Sequence, residues 1–250
     1  MLIPLIEFDY WGLPIYNVMG IIGFVLAALL LIRKETQKNL NPDYEMKINI
    51  SFLLASLWAL LLANVANWLL FPELLGYPLM ERFYTGGFSF YYGMLGFTAI
   101  SALLLWVQRT DFKYWINEIV PSILIFHAFG RVGCSLVGCC YGIRINETSV
   151  FGATTNLFPA RELEALFLFI MFAVFQVLIK NNRLYWYLLS YAISRFFIEF
   201  GRGDPRGRLL TDVLSPAQVT SIVIVLILLS LTIMKTTKNL FEKPEITRPM

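Results

Sequence analysis

Seven long apolar segments constrain this chain more than any other feature. They cover about 14–32, 48–70, 86–107, 115–133, 162–179, 184–200 and 214–234. Each is near the roughly 20 residues that a helix needs to cross a bilayer. With 58% hydrophobic and 15% charged residues and a mean hydropathy of +0.65, the chain has too little polar surface for a soluble domain of 250 residues. The expected fold is an all-α integral membrane protein with seven transmembrane helices. Short loops make it one polytopic domain over 1–250, without an appended soluble module. The opening MLIPLIEFDY carries acid where a cleavable signal needs base, and no small-residue cleavage site follows. Residues 1–13 are expected along the membrane interface.

Orientation follows from where the cations fall. With the N-terminus outside and the C-terminus cytoplasmic, the inner segments are 33–47, 108–114, 180–183 and 235–250. They hold every lysine, at 34, 38, 47, 113, 180, 235, 238 and 243. The outer side has arginine only, at 82, 131, 144, 161, 195, 202, 206 and 208. Arginine offers a planar fork of donors suited to bidentate binding of phosphate or carboxylate, whereas lysine is a point charge. Its selection on the side that topology disfavours suggests an anionic ligand there.

Two stretches concentrate these charges. In Pro121–Gly142, PSILIFHAFGRVGCSLVGCCYG, His127 and Arg131 lie one turn apart on a membrane helix. A charge within a span costs several kcal/mol unless it is paired or hydrated, which favours a role for Arg131. The stretch then breaks into glycines around all three cysteines. Their spacing, C-x4-C-C, lacks the paired C-x2-C units of zinc sites, so no metal is expected. A disulfide from Cys134 to Cys139 or Cys140, or small packing side chains, are both open readings. In the second stretch, SRFFIEFGRGDPRG, Arg195, Glu199 and Arg202 fall at i, i+4 and i+7 on one helical face, which would leave a net positive pocket.

Other polar residues have structural explanations of comparable weight. Tyr16 suits an interfacial belt, and Asn64 and Asn67 suit helix–helix hydrogen bonding. Gly93 and Gly96 suit close helix packing, while Ser89, Tyr91 and Tyr92 beside them suggest a lined cavity. Pro159 reads as a first-turn proline, with Glu162 and Glu164 favouring that helix start. Ser215 reads as an N-cap, with Gln218 capping or facing inwards.

Several of these stretches together resemble the prolipoprotein diacylglyceryl transferase family. GGFSFYYGMLG resembles the family's GG-x-SFHGG-x-x-G, and GRVGCSLVGCCYG its signature GR-x-GN-x-x-NGE-x-x-G. FPARELE resembles HPSQLYE, RFFIEFGR resembles RF-x-x-EF-x-R, and PAQVTSI resembles MGQ-x-x-S. Tyr16 falls where the family has a functional tyrosine. The similarity covers nearly the whole chain, in order and in register. The departures mark a divergent member: Tyr91 stands where the family has an essential histidine, and Cys134, Val137 and Cys139 stand where its signature has asparagine, asparagine and glutamate.

The resemblance implies transfer of the diacylglyceryl group of phosphatidylglycerol to a prolipoprotein cysteine thiol, with release of glycerol phosphate. It implies catalytic roles for Arg131, Arg195 and Glu199, with Tyr91 or His127 relaying a proton. Substrate contacts would come from Tyr16, Gly86, Gly87, Ser89, Gly130, Gly133, Cys134, Cys139, Gly142, Glu164, Arg202 and Gln218. The expected partners are phosphatidylglycerol or a similar anionic phospholipid and a prolipoprotein or other acceptor at the outer face. No cofactor, metal or nucleic acid is called for. The expected location is the bacterial cytoplasmic membrane, multi-pass, with the site towards the outer side. Two alternatives keep the fold: an enzyme with a glycan or peptide acceptor, or a non-catalytic lipid-binding paralogue.

Overall fold

The computed structural model of the chain describes residues 9–10, 13–38, 40–79, 89–145, 156–204 and 213–241. Among these are seven α-helices: α1 (Ile15–Lys38), α2 (Pro42–Leu70), α3 (Phe90–Val107), α4 (Phe112–Val137), α5 (Ala160–Val177), α6 (Arg183–Ile198) and α7 (Pro216–Phe241). Two-residue strands β1 (Asp9–Tyr10) and β2 (Leu13–Pro14) pair antiparallel before α1. Each expected span has one helix in its place. Five of the helices, α1, α2, α3, α4 and the Pro216–Thr237 part of α7, are long and apolar enough to cross a membrane. This is a helical membrane protein. α5 carries Arg161, Glu162 and Glu164 near its start, and α6 has only 16 residues before a 3₁₀ turn at Glu199–Gly201.

Local signals set the helix ends. Asn41 accepts from the Asp43 amide ahead of Pro42 at the start of α2, and Asp111 accepts from the Tyr114 amide at the start of α4. Ser215 and Gln218 close a reciprocal capping box on α7, with Ser215 N donating to Gln218 Oε1 at 3.0 Å and Gln218 N to Ser215 Oγ at 3.3 Å. α4 runs four residues beyond its expected end at 133, through Cys134 to Val137. It stops where Gly138 turns left-handed at φ 75°, the usual role of glycine after a helix. Pro159 caps α5 rather than occupying its first turn.

α4 is the centre of the bundle. It packs against α1, α3, α5 and α6, while α2 pairs with α3 and α6 with α7. The most apolar window of α4 is 61% buried, against 11% for α1, so α4 lies inside the bundle and α1 at its edge. Exposed Phe24, Leu57, Trp58 and Leu226 give the exterior its apolar character. Lipid tails are as apolar as these side chains, so close packing and polar links must hold the helices together. Gly133 supplies one such approach, since a Cβ there would sit 3.1 Å from Tyr16 Cδ2 on α1.

The end of α4 far from Arg131 is fastened by charge. Arg183 Nη1 and Lys34 Nζ bind the two oxygens of Glu118, at 2.9 and 3.0 Å, joining α6 and α1 to α4. Asn117 adds hydrogen bonds to the Lys180 carbonyl and the Arg183 amide. Helices tied at one end in this way can hold a polar site in fixed register at the other.

Candidate active site

The site forms where α4, α5 and α6 meet, around Glu164 on α5. Its carboxylate is 1% exposed and takes partners from both neighbouring helices. Arg131 Nε on α4 lies 3.1 Å from Oε1, and Arg195 Nη1 on α6 lies 2.8 Å from Oε2. Tyr191 donates to Oε1 at 2.7 Å. Charged groups buried in a dry bundle are tolerated when ion pairs and hydrogen bonds are supplied together, as they are here.

The network continues outwards along α6. Arg195 Nη2 lies 2.9 Å from Glu199 Oε2, and Arg202 Nη1 lies 3.9 Å from the same oxygen. Arg202 is not on the helix, because the chain has passed through the 3₁₀ turn into extended backbone at φ −85°, ψ 144°. Its other partner is Asp204, through Nε at 3.1 Å and Nη2 at 2.8 Å. Three guanidiniums thus meet three carboxylates. Among the described residues, Glu164 and Asp204 join Glu199, so each of these three guanidiniums has a carboxylate partner. What these guanidiniums offer an anion is oriented N–H donors.

His127 lies behind this network. Its ring stacks on Phe90 with centroids 3.5 Å apart. Nδ1 is 3.3 Å from Tyr187 OH, while Nε2 is 3.5 Å from Tyr191 OH and 3.8 Å from Glu164 Oε1. Tyr91 is also buried, with its hydroxyl 3.2 Å from Ser221 Oγ on α7 and its ring edge-on to Tyr191. Both residues therefore adjoin the carboxylate cluster. Tyr187 and Tyr191 were not singled out in the sequence, although Tyr187, Tyr191 and Arg195 are spaced by four along one face of α6.

The segment after α4 is held from two sides. Ile143 N donates to Gly201 O and Gly203 N to Tyr141 O, both at 2.9 Å, while Phe158 N donates to Ile143 O at 2.9 Å. Gly142 sits at this junction, where any Cβ would run into the Phe158 carbonyl. Arg161 Nη1 holds the Cys139 carbonyl at 2.9 Å. The three cysteines are free thiols, their sulfurs all within 4.8 Å of one another, and Arg131 Nη1 lies 3.9 Å from Cys140 Sγ. Cys140 is pushed below the ordinary thiol value, first by hydrogen bonding from the Cys134 and Cys139 thiols and then by the Arg131 and Arg202 guanidiniums. Hydrogen bonding with Cys134 and Cys140 pushes Cys139 up. Burial opposes the charge of Arg202, but Cys140 and Asp204 outweigh it and hold its value above the usual one.

Of the residues expected at the site, the fold brings together Arg131, Arg195, Glu199, Glu164, His127, Tyr91, Arg202, Cys134 and Cys139, with Gly142 at the loop junction. Tyr16 rests on Gly133, two residues past Arg131 on α4. Gly130 has open space where a side chain would be. Ser89 occupies the N-cap position of α3 without a side-chain capping bond, and Gln218 hydrogen-bonds with Ser215 at the start of α7. Gly86 and Gly87 lie outside the described residues, as do Arg82, Arg206 and Arg208.

Fold and site together define a helical membrane protein with an arginine–carboxylate network inside its bundle. The family described as prolipoprotein diacylglyceryl transferase matches residues 5–234. A phosphatidylglycerol–prolipoprotein diacylglyceryl transferase 2 of Clostridium perfringens is 28% identical over 235 residues, covering 87% of this chain and 90% of that protein. A phosphatidylglycerol–prolipoprotein diacylglyceryl transferase of Clostridium tetani is 27% identical over 241 residues, covering 88% and 93%. One from Halalkalibacterium halodurans is 26% identical over 238 residues, covering 86% and 78%. The chain belongs to the prolipoprotein diacylglyceryl transferase family and is a transferase.

Proposed function

We propose that this protein moves the diacylglyceryl group of phosphatidylglycerol to the cysteine thiol of a prolipoprotein, releasing glycerol phosphate. The observation that carries the reading is the binding of Arg131 and Arg195 to opposite oxygens of Glu164, at 3.1 and 2.8 Å. Attack of the thiol sulfur on the glyceryl carbon breaks the bond to the phosphate oxygen, and negative charge builds on the leaving phosphate. Guanidinium donors already held in place meet that charge with little reorganisation. Glu164 and Glu199 fix the arginines, and Arg202 contributes a phosphate contact at the rim. His127 and Tyr191 are positioning residues for Glu164, and Tyr91 fixes α3 against α7.

The membrane arrangement we propose has seven spans, the N-terminus outside, and the site towards the outer side of a bacterial cytoplasmic membrane. The segregation of lysine to one set of loops supports it. The reading is tested by complementation in cells depleted of their own transferase. Mature lipoprotein should reappear with this chain. Its failure to reappear, with the chain at normal level in the membrane, contradicts the proposal.

A further inference from the structure

We propose that Cys134, Cys139 and Cys140 form a binding site for a soft divalent cation of the zinc type, whose remaining coordination position takes the acceptor thiol. The role given to that position rests on the transferase reaction proposed above. The cation site itself rests on the cysteine geometry.

Cys134 belongs to the last turn of α4, while Cys139 and Cys140 follow the left-handed Gly138. The turn folds the chain back, so their three sulfurs all lie within 4.8 Å of one another. Zinc–thiolate bonds of about 2.3 Å put sulfurs about 3.8 Å apart around a tetrahedral ion, so a shift of about 1 Å completes the set. The C-x4-C-C spacing hides this arrangement, because paired C-x2-C units are what a knuckle needs, not what a helix end followed by a tight turn needs. Cys140 holds a left-handed φ of 56°, a conformation that a side-chain-bearing residue rarely adopts without surrounding constraint. The constraint is on both sides: pairing with Gly201 and Gly203, and Arg161 on the Cys139 carbonyl. Arg131, 3.9 Å from Cys140 Sγ, sets a guanidinium beside the negative charge that three thiolates and one divalent cation would carry.

Three protein ligands with a fourth position open is the arrangement of catalytic rather than structural zinc. Cys134 is 7% exposed, whereas Cys139 and Cys140 are partly exposed, so the cluster can be approached from their side. The reaction needs a thiolate, and the one imidazole of the chain is enclosed by Phe90, Tyr187, Tyr191 and Glu164. A thiol that coordinates zinc loses its proton outright. In the step this implies, the acceptor thiol releases its proton to water on binding the cation. Its sulfur lone pair then forms the bond to the glyceryl carbon. The carbon–oxygen bond breaks with its electron pair on the phosphate oxygen, which leaves as glycerol phosphate. No oxidation or reduction occurs, and the neutral thioether product binds the cation weakly enough to depart.

The test uses the full chain in detergent, stripped of metal by a chelator under reductant and then titrated with Co²⁺. One equivalent should give tetrahedral d–d bands and thiolate charge-transfer bands. Affinity should fall at least tenfold in Cys139→Ser and Cys140→Ser variants whose elution and helical circular dichroism match those of the parent. A cysteine-containing lipobox peptide should shift the bands, and its serine counterpart should not. Absent thiolate bands, unchanged binding in both serine variants, or an internal disulfide in protein whose thiols were blocked at lysis would overturn the site. Bands indifferent to the cysteine peptide would overturn its role towards the acceptor. Bands that respond to the peptide without any glycerol phosphate release would keep the cation site and contradict the transferase reaction instead.

Discussion

Arg195 Nη1 donates to Oε2 of Glu164 at 2.8 Å, so a cation on α6 is set by an acid on α5. Both side chains are buried, and the same carboxylate also receives Arg131 from α4. The pair therefore joins three helices as well as orienting donors in the site.

Replacing Glu164 by glutamine tests that double role. The substitution leaves the buried Arg195 and the partly buried Arg131 facing an amide, and breaking a buried pair in this way costs on the order of 3 kcal/mol. Unfolding of the detergent-solubilised variant should begin at clearly lower temperature, with transfer activity reduced at temperatures where the variant is still folded. Unchanged stability would mean that the arginines find other partners.

Tyr91 should be supportive. Its hydroxyl meets Ser221 Oγ at 3.2 Å, a contact whose loss costs about 0.5–1.5 kcal/mol. Tyr91→Phe should keep the rate of glycerol phosphate release within about tenfold of the parent, which is the spread such an energy allows. A drop of several orders of magnitude in a folded variant would give the hydroxyl a part in proton transfer.

Gly142 is fixed by its neighbour. A methyl group there enters the Phe158 carbonyl, at the junction of the segments after α4, before α5 and after α6. Gly142→Ala should destabilise the protein by about 1–3 kcal/mol through overpacking. Melting curves of the two proteins in one detergent check this, and an unchanged midpoint would contradict the tight junction.

The proposed orientation predicts opposite labelling of two exposed loop positions, Glu73 and Asn181. A cysteine introduced at Glu73 should react with an impermeant maleimide on intact cells, above the background of the native thiols. One at Asn181 should react only after the membrane is opened. The reverse pattern would invert the topology.

The helices were legible from apolar run length, which is a direct consequence of bilayer thickness, and Arg131, Arg195 and Glu199 stood out as charges that a span does not carry without cause. Glu164 was noted, but an acid near a helix start is equally a dipole partner, and only packing shows that α5 points it at two arginines. Tyr191 was hidden because tyrosine is common in membrane helices. Arg202 was placed on a continuing helix by its spacing, whereas the 3₁₀ turn at Glu199–Gly201 carries it into the loop. Asp204 lies two residues after Arg202 in a loop, and the path of that loop brings its carboxylate onto the Arg202 guanidinium. The pairing of Glu164 with Arg131 and Arg195 joins three helices, which no local pattern encodes.

The most direct measurement is glycerol phosphate release from phosphatidylglycerol and a cysteine-containing lipobox peptide, comparing the parent with Arg131→Lys and Arg195→Lys. Lysine keeps the charge but removes the planar donor fork, so both variants should lose about a hundredfold in kcat while remaining folded in the membrane. Full activity in both lysine variants, or no release by the parent, would contradict the account of an arginine-held phosphate.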